Sequence, residues 1–159
     1  MTRFHTIIVL LGTLVVIAAA DGAESNAPAN AIQTIDKAGL TALMEDQDCR
    51  CMIVAMAAWC SPCRKELPLL VELYERYRSE GLRVVGVSLD QEGPQAMQPI
   101  IDKANVSFPV YWAGRDAIED FEIYAIPMIF IVKDGKVVEK IPGKRPRNYL
   151  EKKIQKLLE

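Results

Sequence analysis

The sequence predicts an α/β domain of three layers, a central mixed β-sheet with helices on both faces. Three observations carry that prediction. Two strand-length apolar runs, Cys51–Ala58 and Leu82–Leu89, flank a helical stretch of about five turns, the pattern that sets parallel strands side by side. A third apolar run, Met128–Lys133, meets Asp134-Gly135, a two-residue turn signal that sends the chain back antiparallel through Lys136–Ile141. The apolar residues between these runs recur at helical rather than alternating spacing. With half of its 159 residues hydrophobic and a quarter charged, the chain has the composition of one ordinary globular core.

Taken in order, Arg3 and His5 precede an apolar run of 14 residues from Ile7 to Ala20, too short to cross ~30 Å of hydrocarbon comfortably. A basic start, a short apolar stretch and small residues at Ala18 and Ala20 predict a signal peptide over residues 1–20, with an uncleaved membrane anchor as the rival reading. Under either, the remainder faces an extracytoplasmic, disulfide-permissive compartment. Residues 21–30, containing ESNAPAN, form a small polar linker, and the folded domain is expected over 31–159.

Within it, Ala31–Ile35 is a short strand and Asp36 caps a helix to about Asp46 with Leu40, Leu43 and Met44 as its stripe. After the Cys51–Ala58 strand, Pro62 sits where a first helical turn tolerates it, and Leu67, Leu70, Val71, Tyr74 and Tyr77 keep helical spacing until Gly81. Pro94–Asn105 forms a helix facing inward through Met97, Ile100, Ile101 and Ala104, and Arg115–Glu122 a short amphipathic one. Pro146 opens a closing helix with Leu150, Ile154, Leu157 and Leu158 on one side.

Composition also excludes. His5 is the single histidine and lies in the segment expected to be removed, so Ser-His-Asp triads, Cys-His proteases and His-ligated metals are ruled out. A formal net charge of −2 gives no basic surface for nucleic acid, and the basic residues from Lys133 onward read as a solvated face. The chemistry falls to the four cysteines.

The most informative stretch is Trp59-Cys60-Ser61-Pro62-Cys63, a C-x-x-C pair after a buried strand and at the start of a helix. Unpaired N–H groups and the helix dipole at that point favour a thiolate on Cys60, whereas Cys63 lies one turn inside and less accessible, poised to attack a mixed disulfide.

These residues resemble the thioredoxin fold, and more narrowly the bacterial extracytoplasmic TlpA/ResA-like thiol–disulfide oxidoreductases. The resemblance runs from about Ile35 to Glu159. It rests on AAWCSPCRKELP at Ala57–Pro68, GLRVVGVSLD at Gly81–Asp90, FPV at Phe108–Val110 and IPMIFIVKDGKVV at Ile126–Val138. It implies a redox-active disulfide between Cys60 and Cys63, with Cys60 attacking and Cys63 resolving. It also implies a cis Ile126-Pro127 bond beside that disulfide, with the Ile126 backbone free to pair with an extended substrate, and Trp59 and Pro62 bordering the same surface. Val54 stands where cytosolic thioredoxins carry a buried aspartate. Glu66, three residues after Cys63, matches a glutamate of the extracytoplasmic group that relays the resolving thiol's proton; a solvated helix carboxylate is the bland alternative.

Cys49 and Cys51 lie outside that motif. In an extended chain they would point the same way about 6.6 Å apart, at the edge of disulfide reach. They are read as a loop thiol and a small buried strand residue, or as a vicinal pair exchanging with Cys60–Cys63. The aromatic residues Tyr74, Tyr77, Phe108, Trp112, Phe121, Tyr124 and Phe130 are expected to fill core and cleft rather than bind a cofactor.

The expected activity is reduction of disulfides in exported proteins, as in cytochrome c maturation. Exported protein disulfides and a membrane dithiol donor would be the partners of a monomer without cofactor, serving redox homeostasis of the periplasm. Two rivals stand beside it: an oxidising, disulfide-forming protein of the same fold, and a zinc module using Cys49, Cys51, Cys60 and Cys63. A peroxidase is disfavoured, because no lone cysteine follows a Pro/Thr loop, and a copper chaperone of this fold would need a distal histidine.

Overall fold

The computed structural model describes residues 30–159. The signal-peptide prediction and nearly all of the linker therefore lie outside the described residues. The first element is β1 (Gln33–Thr34), then α1 (Lys37–Glu45), whose cap is Asp36: its carboxylate accepts the Gly39 N–H at 2.8 Å, satisfying an otherwise orphaned donor. β2 (Arg50–Met56) follows, then α2 (Ser61–Tyr77), which tightens into a 3₁₀ turn at Arg78–Glu80. Pro68 sits inside α2 and cannot return an N–H to the Arg64 carbonyl, yet the helix continues through it. β3 (Arg83–Ser88), α3 (Pro94–Lys103), β4 (Val110–Trp112) and α4 (Asp116–Asp120) come next. The chain closes with β5 (Met128–Lys133), β6 (Lys136–Pro142) and α5 (Arg147–Leu158).

Six strands form one sheet in the order β1-β4-β3-β2-β5-β6. β2 lies between β3, which it pairs in parallel, and β5, which it pairs antiparallel, so the near-continuous apolar run of β2 is covered on both sides and both faces. Along β2 the side chains alternate between two cores. Met52, Val54 and Met56 face α2, α3 and α5 through Leu67, Leu70, Met97, Ile101, Leu150 and Ile154. Ile53 and Ala55 face the other way, toward Leu40, Met44, Ala117 and Phe130. Asp134 and Gly135 both take positive φ, 51° and 68°, which is the geometry an Asp-Gly hairpin requires.

The mixed sheet and its helices match the expected fold class. Two elements differ from the sequence reading. β4, which bridges β3 to β1, is a strand the sequence reading omitted: it has three residues, follows Pro109, and is held by its neighbours rather than by an apolar run of its own. Leu73, not Val71, completes the buried stripe of α2. Among the described residues no helix is long and apolar enough to cross a membrane.

Candidate active site at the start of helix α2

β2 ends at Met56, and Ala57, Ala58 and Trp59 turn the chain toward α2, with Cys60 as the capping residue. Its backbone is extended, with φ −80° and ψ 100°, and its Sγ accepts the Cys63 N–H at 3.2 Å. A sulfur thus occupies the place an Asp or Ser oxygen takes at other helix starts. Cys60 and Cys63 are disulfide-bonded, with Cα atoms 5.3 Å apart. Cys60 was expected at an exposed helix start. It is only 4% exposed against 2% for Cys63, because the cap turns the sulfur inward onto the core. Trp59, Ser61 and Pro62 are the exposed members of the motif. Trp59 is 65% exposed and borders a cleft of about 340 Å³ with Leu89, Gln91, Arg115 and Ile118.

Glu66 is completely buried, so the solvated alternative does not hold. Its Oε1 accepts the Arg145 N–H at 2.8 Å, while Oε2 has no protein partner. Burial pushes its carboxyl above the usual range; the Arg145 N–H and the charges of Lys144 and Arg145 oppose that rise.

The Ile126-Pro127 bond is cis. Pro127 is buried, Ile126 is half-buried, and among the described residues no backbone hydrogen bond engages Ile126. The loop between β6 and α5 supports both Pro127 and Glu66. Gly143 donates its N–H to the Pro127 carbonyl at 2.7 Å from a φ of 75°, a conformation that favours glycine, and two residues on Arg145 donates to Glu66.

Asp90 is a site residue that the sequence reading missed. It is completely buried; its carboxylate accepts the Ala58 N–H at 2.9 and 3.0 Å and the Ser88 hydroxyl at 2.8 Å. Its carbonyl accepts the Trp112 indole N–H at 2.6 Å. Asp90 thereby fixes the backbone two residues before Cys60. The only hint in the sequence was its place in GLRVVGVSLD. Tyr124 departs from its expected packing role, being 69% exposed.

The four cysteines are not gathered. Cys49 and Cys51 lie at the start of β2, and Cys51 shares the sheet face of Ile53, away from α2. A four-thiolate zinc site is therefore not assembled, and the two pairs are not placed to exchange. Cys49 and Cys51 are instead brought side by side, at a Cα separation within disulfide reach of each other. The turn that ends at Cys49, closed by its N–H to the Asp46 carbonyl, draws the two Cα atoms to 5.2 Å, nearer than an extended chain allows.

A disulfide that caps the first helix after a central strand, with a cis-proline leading into the strand antiparallel to that one, defines a thioredoxin-like protein. The AhpC/TSA family matches residues 24–141, and the chain belongs to that family. It is 36% identical over 101 residues to the thiol-disulfide oxidoreductase ResA of Bacillus cereus, a match over 62% of this chain and 58% of that protein. The chain thus spans less than two thirds of that curated relative. A thiol:disulfide interchange protein of the thioredoxin family from Chlorobium tepidum TLS superimposes with a TM-score of 0.66 at 23% identity, over 84% of this chain and 97% of that one. A thioredoxin-like protein from Porphyromonas gingivalis does so with a TM-score of 0.59 at 29% identity, over 68% and 74%.

Proposed function

We infer that the protein is an extracytoplasmic thiol–disulfide oxidoreductase that reduces disulfides of exported proteins. The observation that carries this reading is the Cys60 sulfur capping α2, where backbone N–H groups and the helix dipole favour a thiolate once the disulfide is reduced. In the reduced protein, Cys60 attacks one sulfur of a substrate disulfide and the other substrate sulfur leaves as a thiol. Cys63 gives its proton to Glu66 and attacks the mixed disulfide, releasing the second substrate thiol and restoring Cys60–Cys63. Two electrons pass to the substrate, and a membrane dithiol donor returns them. Trp59, Pro62 and Ile126 form the substrate surface, and the buried cis Pro127 sets the Ile126 backbone that pairs with an extended segment. The names of the relatives support this chemistry. The leader sequence supports work outside the cytoplasm, and apocytochrome cysteines are a fitting substrate there.

The reduced protein, mixed with a disulfide-bonded test protein, should release two substrate thiols for each Cys60–Cys63 pair that closes, counted with a thiol reagent on the test protein after it is separated from the enzyme. Cys60→Ala should release none. Undiminished release from Cys60→Ala would overturn the assignment.

A further inference from the structure

The Cys49–Cys51 pair belongs to neither the exchange site nor the surface. Both residues are 1% exposed. The turn that precedes β2 is a junction. The Asp46 carbonyl accepts the Cys49 N–H and the Gly135 N–H, each at 3.1 Å, and the Asp46 carboxylate pairs with Arg83 of β3 at 2.6 Å. The end of α1 and the starts of β2, β3 and β6 therefore meet around these two sulfurs. Cys51 itself lies between Arg83 and Val132 in the register of the sheet. From Cys51 to Ala57 is six residues of extended chain, about 20 Å at strand rise. The pair thus lies at the opposite end of β2 from Cys60–Cys63, and on the opposite face of the sheet.

We propose that Cys49–Cys51 is a second disulfide site, closed during folding by a disulfide oxidant and thereafter sealed off from the exchange reaction. The Cα separation of 5.2 Å lies inside the disulfide range, and both side chains belong to the same buried cluster. Closure removes two electrons and two protons from the thiols and turns one oxidant disulfide, such as oxidised glutathione or a disulfide-carrying export protein, into two thiols. A thiol must reach a sulfur in line with the disulfide for exchange, and this pair is packed with Leu40 and Met44 of α1 and Val132 of β5, whereas Cys60 opens α2 beside the exposed Trp59, Ser61 and Pro62. The pair is therefore closed before α1 and the β5–β6 hairpin cover it, and its state records the conditions under which the chain folded.

Timed alkylation and mass spectrometry of the full chain test this. In native protein treated with dithiothreitol, Cys60 and Cys63 should become alkylated at least about 100-fold faster than Cys49 and Cys51, as expected when exchange awaits local opening. In denaturant the gap should shrink to less than about tenfold, since both pairs are then open to attack. Chain folded in dithiothreitol and then moved to oxidised glutathione should close Cys60–Cys63 while Cys49 and Cys51 stay thiols. Equal native rates, or ready closure of Cys49–Cys51 after folding, would overturn the proposal. So would free thiols at both positions in chain refolded from denaturant in oxidised glutathione.

Discussion

A carboxylate with no exposed surface, three residues from a buried cysteine and with one oxygen unpartnered, takes up a proton more readily than an exposed glutamate does. Because the folded carboxyl of Glu66 titrates above the unfolded one, the native state binds more protons in the interval between the two. Stability then falls as pH rises from the ordinary glutamate range through the raised folded value. Glu66→Gln removes that slope, so its stability relative to the unsubstituted protein should climb with pH, as denaturant titrations would record. Turnover should drop about tenfold, less than the ~10²–10⁴ of a general base acting alone, because water can take up some of the proton transfer. The acidic limb of the pH–rate profile should vanish with it; an unchanged profile would return Glu66 to a packing role. Asp90 acts differently, through Ala58. Asp90→Ala strands the Ala58 N–H and the Ser88 hydroxyl without their buried acceptor, a cost of about 2–3 kcal/mol. Denaturation midpoints give the loss directly, and thiol release should slow as the Cys60 backbone loosens.

At the scale of elements, α2 makes its two cysteines unequal by position rather than exposure. Cys60 is the cap, with its sulfur receiving a backbone N–H; Cys63 is inside the first turn, on the face shared with Glu66 and Leu67. Cys63→Ala should accumulate a covalent complex with partner proteins, seen on non-reducing gels and dissolved by dithiothreitol, while Cys60→Ala should trap nothing. The reverse pattern would exchange the two roles. Most of this helix could be read in the sequence, since Pro62, the apolar spacing and Gly81 each act locally. So could β2, β3, the Asp134-Gly135 hairpin and the cap at Asp36. What escaped depends on neighbours distant in sequence: β4 exists because β3 and β1 flank it. Asp90 matters because residue 58, 32 positions away, needs an acceptor. The loop carrying Gly143 and Arg145 reads as an ordinary connection until the fold lays it against Pro127 and Glu66.

For the whole molecule, the direction of electron flow is a stability question. Reducing Cys60–Cys63 and unfolding the chain are two legs of one thermodynamic cycle. The native reduction potential therefore departs from that of the unfolded pair by the stability difference between oxidised and reduced protein, with 30 mV for each ~1.4 kcal/mol. A strong oxidant is a protein whose reduced form is the more stable; a reductant is one whose disulfide adds to stability. The chain-entropy effect of closing a four-residue loop is small, about 2 kcal/mol. The balance is therefore decided by what reduction does at the site. There a thiolate gains the helix start, while a protonated Cys63 thiol and Glu66 must share a buried space. The proposed reductase requires that the oxidised form win. Thermal unfolding of Cys49→Ala/Cys51→Ala protein, which leaves one redox pair to follow, should show a Tm several degrees higher with Cys60–Cys63 closed than reduced, the shift ~2 kcal/mol gives in a domain of this size. A higher Tm for the reduced form would send electrons the other way and make the protein a disulfide donor.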